Sequence, residues 1–221
     1  MARRGSYAKG IAKREEILAT ALDVIARTGY GRASVRELAD AVGLSQAGLL
    51  HYFSSKEELF AEILRKRDEV DEALIADAVR TASGSADADG GMPVEGFMET
   101  IRHNAEVPGL VQLYTRLSAE ATDAEHPAHP YFVERYRDLR AIAAENLRER
   151  REAGEFVADL DADRAATMLI ALADGLQTQW LMDPSIDMAA HIEAFLALLG
   201  RPAPATPEPA PPAAAPAPPA P

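Results

Sequence analysis

Residues 34–53 read SVRELADAVGLSQAGLLHYF, two short helical patterns separated by a glycine turn. Ser34 stands three residues before Glu37, the spacing of a capping box, and Val35, Leu38, Ala39 and Val42 form an apolar face behind it. Gly43 supplies the turn and Ser45 caps a second helix predicted to run through Phe53. Leu38, Val42, Leu44 and Leu49 fill the space between the two, with small Ala39 at their closest approach. That spacing predicts a helix-turn-helix, whose second helix enters a major groove. The other reading is an αα-hairpin inside a helical core. On a helical wheel Leu49 and Phe53 point inward, so Ala47, Leu50 and His51 point outward, flanked by Gln46 and Gly48. An outward face of small and uncharged side chains suits a groove only ~12 Å wide.

The residues around this unit extend the same reading. Lys56, opening the next helix, is placed for a backbone phosphate, and Arg36 for a phosphate or a base edge. Arg3, Arg4 and Lys9 read either as an arm along a duplex or as an untethered basic tail. Residues 1–66 carry 11 Lys+Arg against 8 Asp+Glu, a net of +3, whereas the remainder carries -15. A basic end on an acidic body predicts that only the N-terminal part meets a polyanion.

Further out, the chain reads as helix after helix. Ile17, Leu18, Ala21, Leu22 and Ile25 recur at helical spacing until Gly29. Ser55-Lys56-Glu57-Glu58 is a second capping box, opening a long helix with Leu59, Ile63, Val70 and Leu74 inward. Residues 82–91, ASGSADADGG, predict a flexible loop. Pro93, Pro108, Pro127, Pro130 and Pro184 fall where helices should break. Tyr131–Glu152 places Phe132, Tyr136, Leu139, Ala143 and Leu147 on one side and finishes in arginines before Gly154. Asp161 caps a helix to about Met182, and a last helix covers roughly Met188–Leu199. No stretch alternates with period two, so the fold class is all-α. Pro202–Pro221 holds 10 prolines and 8 alanines and predicts a disordered, polyproline-leaning tail.

Several function classes drop out on composition. The 221 residues contain no cysteine, which excludes disulfide scaffolds, thiolate metal sites and cysteine nucleophiles. No apolar run approaches the ~20 residues that span a bilayer, and no apolar stretch follows Arg3-Arg4 as in a secretion signal. The expectation is therefore a cytoplasmic protein without a membrane partner. His126 and His129, with Asp123 and Glu125 nearby, are interrupted by Pro127 and do not read as a metal site. No nucleophile–base pattern or phosphate-cradling glycine loop is present, so neither an enzyme nor a bound cofactor is expected.

The ordered run Arg14-Glu15-Glu16-Ile17-Leu18, Gly29-Tyr30, Ser34-Val35-Arg36-Glu37-Leu38-Ala39, Val42-Gly43-Leu44-Ser45, Leu49-Leu50-His51-Tyr52-Phe53 and Ser55-Lys56-Glu57-Glu58-Leu59 resembles the TetR family of bacterial transcriptional regulators over about residues 11–66. That resemblance implies a homodimer with a three-helix DNA-binding domain and a helical ligand-binding and dimerisation domain. It implies repression at an inverted-repeat operator, relieved by a small-molecule effector. By position, Ser34, Arg36, Gln46, Ala47, Gly48, Leu50, His51, Tyr52 and Lys56 would line the double-stranded DNA. One departure is Leu50, where many members carry an aromatic, commonly Tyr; a leucine offers at most an apolar contact, for example to a thymine methyl. Base readout then falls to Gln46 and Arg36, while His51 reads equally as a contact or as a solvated residue.

Four regions follow: a basic arm over 1–10, the DNA-binding domain over 11–56, the ligand-binding and dimerisation domain over 57–200, and the tail over 201–221. Ala171–Gln177 and Trp180–Pro184 resemble the penultimate helix of one group of these regulators, in which the last two helices of each subunit pair into a four-helix dimer interface. Polar residues within apolar helices, namely Asn104, Gln112, Tyr114, Arg116, Asp174, Gln177 and Trp180, are the candidates for a ligand pocket, with capping, interface bonding or exposure as their other reading. The acidic body favours a neutral or cationic ligand. The alternative function is a helical adaptor controlled by a protein partner, through the tail for example.

Overall fold

Capping sets the local boundaries of this all-helical chain. The structure, a computed structural model, describes residues 2–83 and 94–200, with side chains from 9–73 and 96–200. Most of the predicted loop, the Pro/Ala tail and the side chains of Arg3 and Arg4 lie outside those residues. Helix α1 spans Ala2–Thr28, so residues 2–10, read from the sequence as an arm, are helical in backbone. α2 spans Val35–Ala41 and α3 spans Gln46–Leu50. Both halves of the predicted capping box form: the Glu37 amide donates to Ser34 Oγ at 3.2 Å and the Ser34 amide to Glu37 Oε2 at 2.8 Å. Ser45 Oγ accepts from the Gly48 amide at 3.0 Å, starting α3. Between them Gly43 takes φ +69, a left-handed conformation that costs a side-chain-bearing residue energy, and the chain turns so that the Leu44 amide reaches the Ala39 carbonyl.

α3 stops at Leu50, three residues short of the predicted Phe53, because the next helix begins so close behind it. α4, Lys56–Ser83, is started by Ser55 Oγ accepting from the Glu58 amide at 3.0 Å. Its box closes one residue early: Glu58 Oε2 accepts from the Ser54 amide at 2.7 Å instead of from Ser55. The body follows as α5 (Val94–Asn104), α6 (Pro108–Glu120), α7 (His129–Glu152), α8 (Ala162–Met182) and α9 (Met188–Leu199). Asp161 and Asp187 cap α8 and α9, through the amides of Arg164 and Ala190.

Two cores hold these helices. One gathers Ile17 and Ile25 of α1, Leu38 of α2, Leu49 of α3, Leu59 and Ile63 of α4, and Leu113 and Tyr114 of α6. The second joins α5, α7, α8 and α9 around Ile101, Leu147, Leu169, Trp180 and Ile192. α6 feeds both, since its Val111 belongs to the second. Its N-terminal end packs on the end of α1, where Gly109 sits so near that a Cβ would collide with the Ile25 carbonyl oxygen and stand 2.7 Å from the Gly29 Cα.

Candidate DNA interface and inner cavity

The outward face of the α2–α3 pair is built by what the inward face buries. Leu49 and Phe53 are fully buried, so the first turn of α3 presents Gln46 and Ala47 to solvent. Gly48, Leu50 and Tyr52 are half-buried at the edge, and His51 is exposed against the Tyr52 ring. Gly48 adds no bulk; even a Cβ there would crowd Ser45 Oγ at 3.2 Å. Ser34 is exposed but its hydroxyl donates to Glu37 Oε2 at 3.0 Å, so a phosphate would compete with that carboxylate. Bonds from Ser34 hold the Glu37 carboxyl below its ordinary pKa, keeping the cap ionised. Arg36 and Lys56 are exposed beside Gln46 and make no ion pair among the described residues.

Sequence reasoning missed what fixes α3 in place. Arg14 of α1 donates to the Tyr52 carbonyl at 2.8 Å, lies over the Phe53 ring at 4.5 Å, and pairs with Glu62 at 2.8 Å. A guanidinium with a fixed donor fork can tie one helix end to two others at once. Its only sequence signal is a charge on the otherwise apolar face of α1.

The second site lies inside the body, a cavity of about 70 Å³ between α4, α5, α6, α7 and α8. Of the seven pocket candidates, Asn104, Tyr114, Asp174 and Gln177 line it. Gln112 and Arg116 lie on the exposed side of α6, and Trp180 is buried in the core with α9, so these three do not. Arg67, Asp68, Asp71 and Arg135 also line it and were not among the candidates, because charges along α4 and α7 read from sequence as solvent faces. The cations are matched inside: Arg135 pairs with Asp68, and Arg67 pairs with Asp71 and donates to Asn104 Oδ1.

Of the lining carboxylates, the exposed Glu72 and the half-buried Asp174 have no cation partner among the described residues, and only Asp174 is turned away from solvent. It accepts from the Tyr136 hydroxyl at 2.6 Å and from the Tyr114 hydroxyl at 3.2 Å, and makes no ion pair among the described residues. Burial raises its pKa, against the lowering effect of both tyrosines and Arg135. Burial likewise pushes the Tyr114 hydroxyl up to about 12, so it remains a donor. Gln177 Oε1, one turn along α8, is buried with no hydrogen-bond partner. Around this cluster stand Phe97, Ile101, Leu139 and Ile170. An apolar wall with a few convergent polar groups is what a small-molecule site requires.

His126 and His129 serve the turn before α7. His126 Nδ1 accepts from the Ala128 amide, and His129 Nδ1 donates to the Ala121 carbonyl at 2.8 Å. Among the described residues no helix is long and apolar enough to cross a membrane.

A family model described as bacterial regulatory proteins, tetR family, matches residues 17–63, and one for the C-terminal part of BetI-type transcriptional repressors matches residues 104–201. The chain is 30% identical over 165 residues to the transcriptional repressor AcnR of Corynebacterium diphtheriae, covering 74% of this chain and 78% of that one. It is 28% identical over 151 residues to the transcriptional repressor KstR2 of Mycobacterium tuberculosis, covering 68% and 72%. Among solved structures, a transcriptional regulator from Saccharomonospora viridis in complex with choline superimposes with a TM-score of 0.63 at 27% identity, over 83% of this chain and 95% of that one.

Proposed function

The chain belongs to the TetR family of bacterial regulatory proteins, and from that premise we propose a homodimeric, sequence-specific repressor that leaves its operator when a small cationic molecule enters the inner cavity. Like the relatives it matches, it regulates transcription rather than catalysing a reaction. α3 enters the major groove with Gln46, Ala47, Gly48, Leu50, His51 and Tyr52 toward the bases and sugar edge. Arg36 and Gln46 read base edges, and Ser34 and Lys56 bind the flanking backbone. The observation that carries this reading is the uncharged outward face of α3 set between Arg36 and Lys56, two cations without an ion pair among the described residues in a chain of net charge -12.

A second copy binds through α8 and α9. Met168 and Met182 of α8 and Leu198 of α9 are 53%, 80% and 81% exposed, apolar side chains on the last two helices that a monomer would leave in water. Pairing α8 and α9 with those of a second copy would present two α3 helices to half-sites one helical turn apart, ~34–36 Å.

For the effector, charge decides. Asp174 is a half-buried carboxylate without an ion pair among the described residues, with Phe97 lining the same cavity, while the Tyr114 ring already carries the Arg135 guanidinium at 5.4 Å. A cation there gains charge attraction and, at the Phe97 ring, the aromatic-face attraction that quaternary ammonium ligands use. On the measure by which one water needs on the order of 10–15 Å³, about 70 Å³ holds roughly half a dozen non-hydrogen atoms. The Saccharomonospora viridis relative binds choline, a molecule of this chemistry. Effector binding releases DNA only to the extent that it prefers a conformation in which the two α3 helices no longer match adjacent grooves.

The test is selection of bound fragments from a random duplex library with the full chain, followed by titration with choline. An enriched inverted repeat, released by choline, is the expected outcome. A folded dimer that enriches no duplex would overturn the DNA reading; enrichment with no choline binding to the protein would overturn the effector reading.

A further inference from the structure

Most described cations in this chain are neutralised by a carboxylate. Lys13, Arg14, Arg27, Arg65, Lys66 and Arg67 pair in the first half, and Arg102, Arg135, Arg137, Arg148, Arg150, Arg151 and Arg164 in the second. Those without an ion pair among the described residues are Lys9, Arg32, Arg36, Lys56, Arg116 and Arg140. All but Arg116 and Arg140 belong to the DNA-binding end. Arg116 lies in the middle of α6, yet an open cleft joins it to Ser34, Arg36, Gln46 and Lys56. Its guanidinium stands 5.9 Å over the ring of Tyr30, and the Lys56 ammonium lies 5.6 Å from the Phe60 ring in the same cleft. Three cations and no carboxylate line it.

A cleft lined by cations of one sign concentrates anions from solution, and the phosphates of a duplex are spaced to meet several along one track. We infer that Arg116 is a phosphate contact made by the effector-binding body: the backbone strand held by Lys56 continues along this cleft to Arg116. This rests on the DNA reading above and adds to it. The α6 helix then carries both a wall of the inner cavity, at Tyr114, and a grip on the operator two residues on, at Arg116.

The experiment is a salt series of binding by the full chain to its selected duplex and to a scrambled duplex, with Arg116→Met, which keeps an apolar stem over Tyr30, and Arg116→Lys. Arg116→Met is expected to weaken both duplexes by the same factor and to lower the log–log salt slope by about 0.9 per protomer. Arg116→Lys should keep the slope. An Arg116→Met protein whose slope equals that of the wild type overturns the inference, whether its affinity is unchanged or merely reduced through Tyr30. A wild-type chain that binds neither duplex would instead sink the DNA reading itself, so the two failures are distinguishable.

Discussion

The Tyr136 hydroxyl of α7 donates to Asp174 Oδ2 of α8 at 2.6 Å, across a separation of 38 residues in the chain. With Tyr114 of α6 donating to the other oxygen, three helices meet on one half-buried carboxylate. That carboxylate is the group a cation would displace or join. Asp174→Asn keeps the shape and removes the charge, so choline affinity is expected to fall by about 10-fold or more, equivalent to about 1.4 kcal/mol or more. Calorimetric titration checks it. Equal affinity in the variant would remove Asp174 from the site.

The pH dependence carries a definite sign. Desolvation raises the pKa of Asp174, and of Asp71 across the cavity despite its Arg67 partner. The folded chain therefore holds these protons more tightly than the unfolded chain does. Their contribution to stability is full below the unfolded Asp value of about 3.9 and is lost as pH rises through the folded values. Cation binding needs the ionised form and runs the other way. Choline affinity is expected to decline on acidification from a higher pH than an exposed carboxylate would give, and Asp174→Asn should flatten the profile. A flat wild-type profile from about pH 7 to about pH 4 would contradict it.

Arg14 bears on specificity without facing DNA. Its bond to the Tyr52 carbonyl and its stacking on Phe53 hold the C-terminal end of α3. A hydrogen bond from a charged donor contributes about 1.5–3 kcal/mol. Arg14→Ala should lower the urea midpoint and weaken specific binding more than non-specific binding, since phosphate contacts survive a loosened α3 and base contacts do not. Equal loss on both kinds of duplex would argue against this role.

Lys56 and Gln46 separate the two kinds of DNA contact. Lys56→Ala is expected to weaken all duplexes alike and flatten the salt dependence, whereas Gln46→Ala should change preference at particular base pairs by about 1–3 kcal/mol. Competition between single-substituted operators measures both. An unchanged salt slope for Lys56→Ala counts against its phosphate role.

Gly109 is a point of close approach between α6 and the end of α1. Because an added Cβ meets the Ile25 carbonyl oxygen and the Gly29 Cα, both backbone atoms, Gly109→Ala must push α6 off α1. Overpacking of this kind costs about 1–3 kcal/mol. The thermal midpoint should drop, and the same step should blunt DNA release by choline, which has to pass through α6 or α4. A variant as stable as the wild type would show that the helices separate freely.

Much of the architecture was open to reading in the one-dimensional chain because it is local. The Ser34–Glu37 box, the Ser45 and Asp161 caps, the Gly43 turn and the Met188–Leu199 helix each depend on residues within about four positions of one another, the reach of a helical turn. The inward and outward faces of the α2–α3 unit follow from the same periodicity. Where local signals compete they mislead by a few residues: α3 ends at Leu50 because Ser54 and Ser55 already serve α4.

The sequence by itself thus determined that this is an all-α chain with a helix-turn-helix near its N-terminus, and which residues that unit presents. Only the tertiary structure decided what meets inside the body. Asn104, Tyr114, Asp174 and Gln177 converge there, while Gln112, Arg116 and Trp180 do not. It also turned Arg67, Asp71 and Arg135 from apparent solvent charges into cavity walls. The reason is physical: partners across the cavity, such as Arg67 with Asn104, 37 positions apart, or Tyr114 with Asp174, 60 apart, come from different helices, and neither periodicity nor capping carries information over that distance.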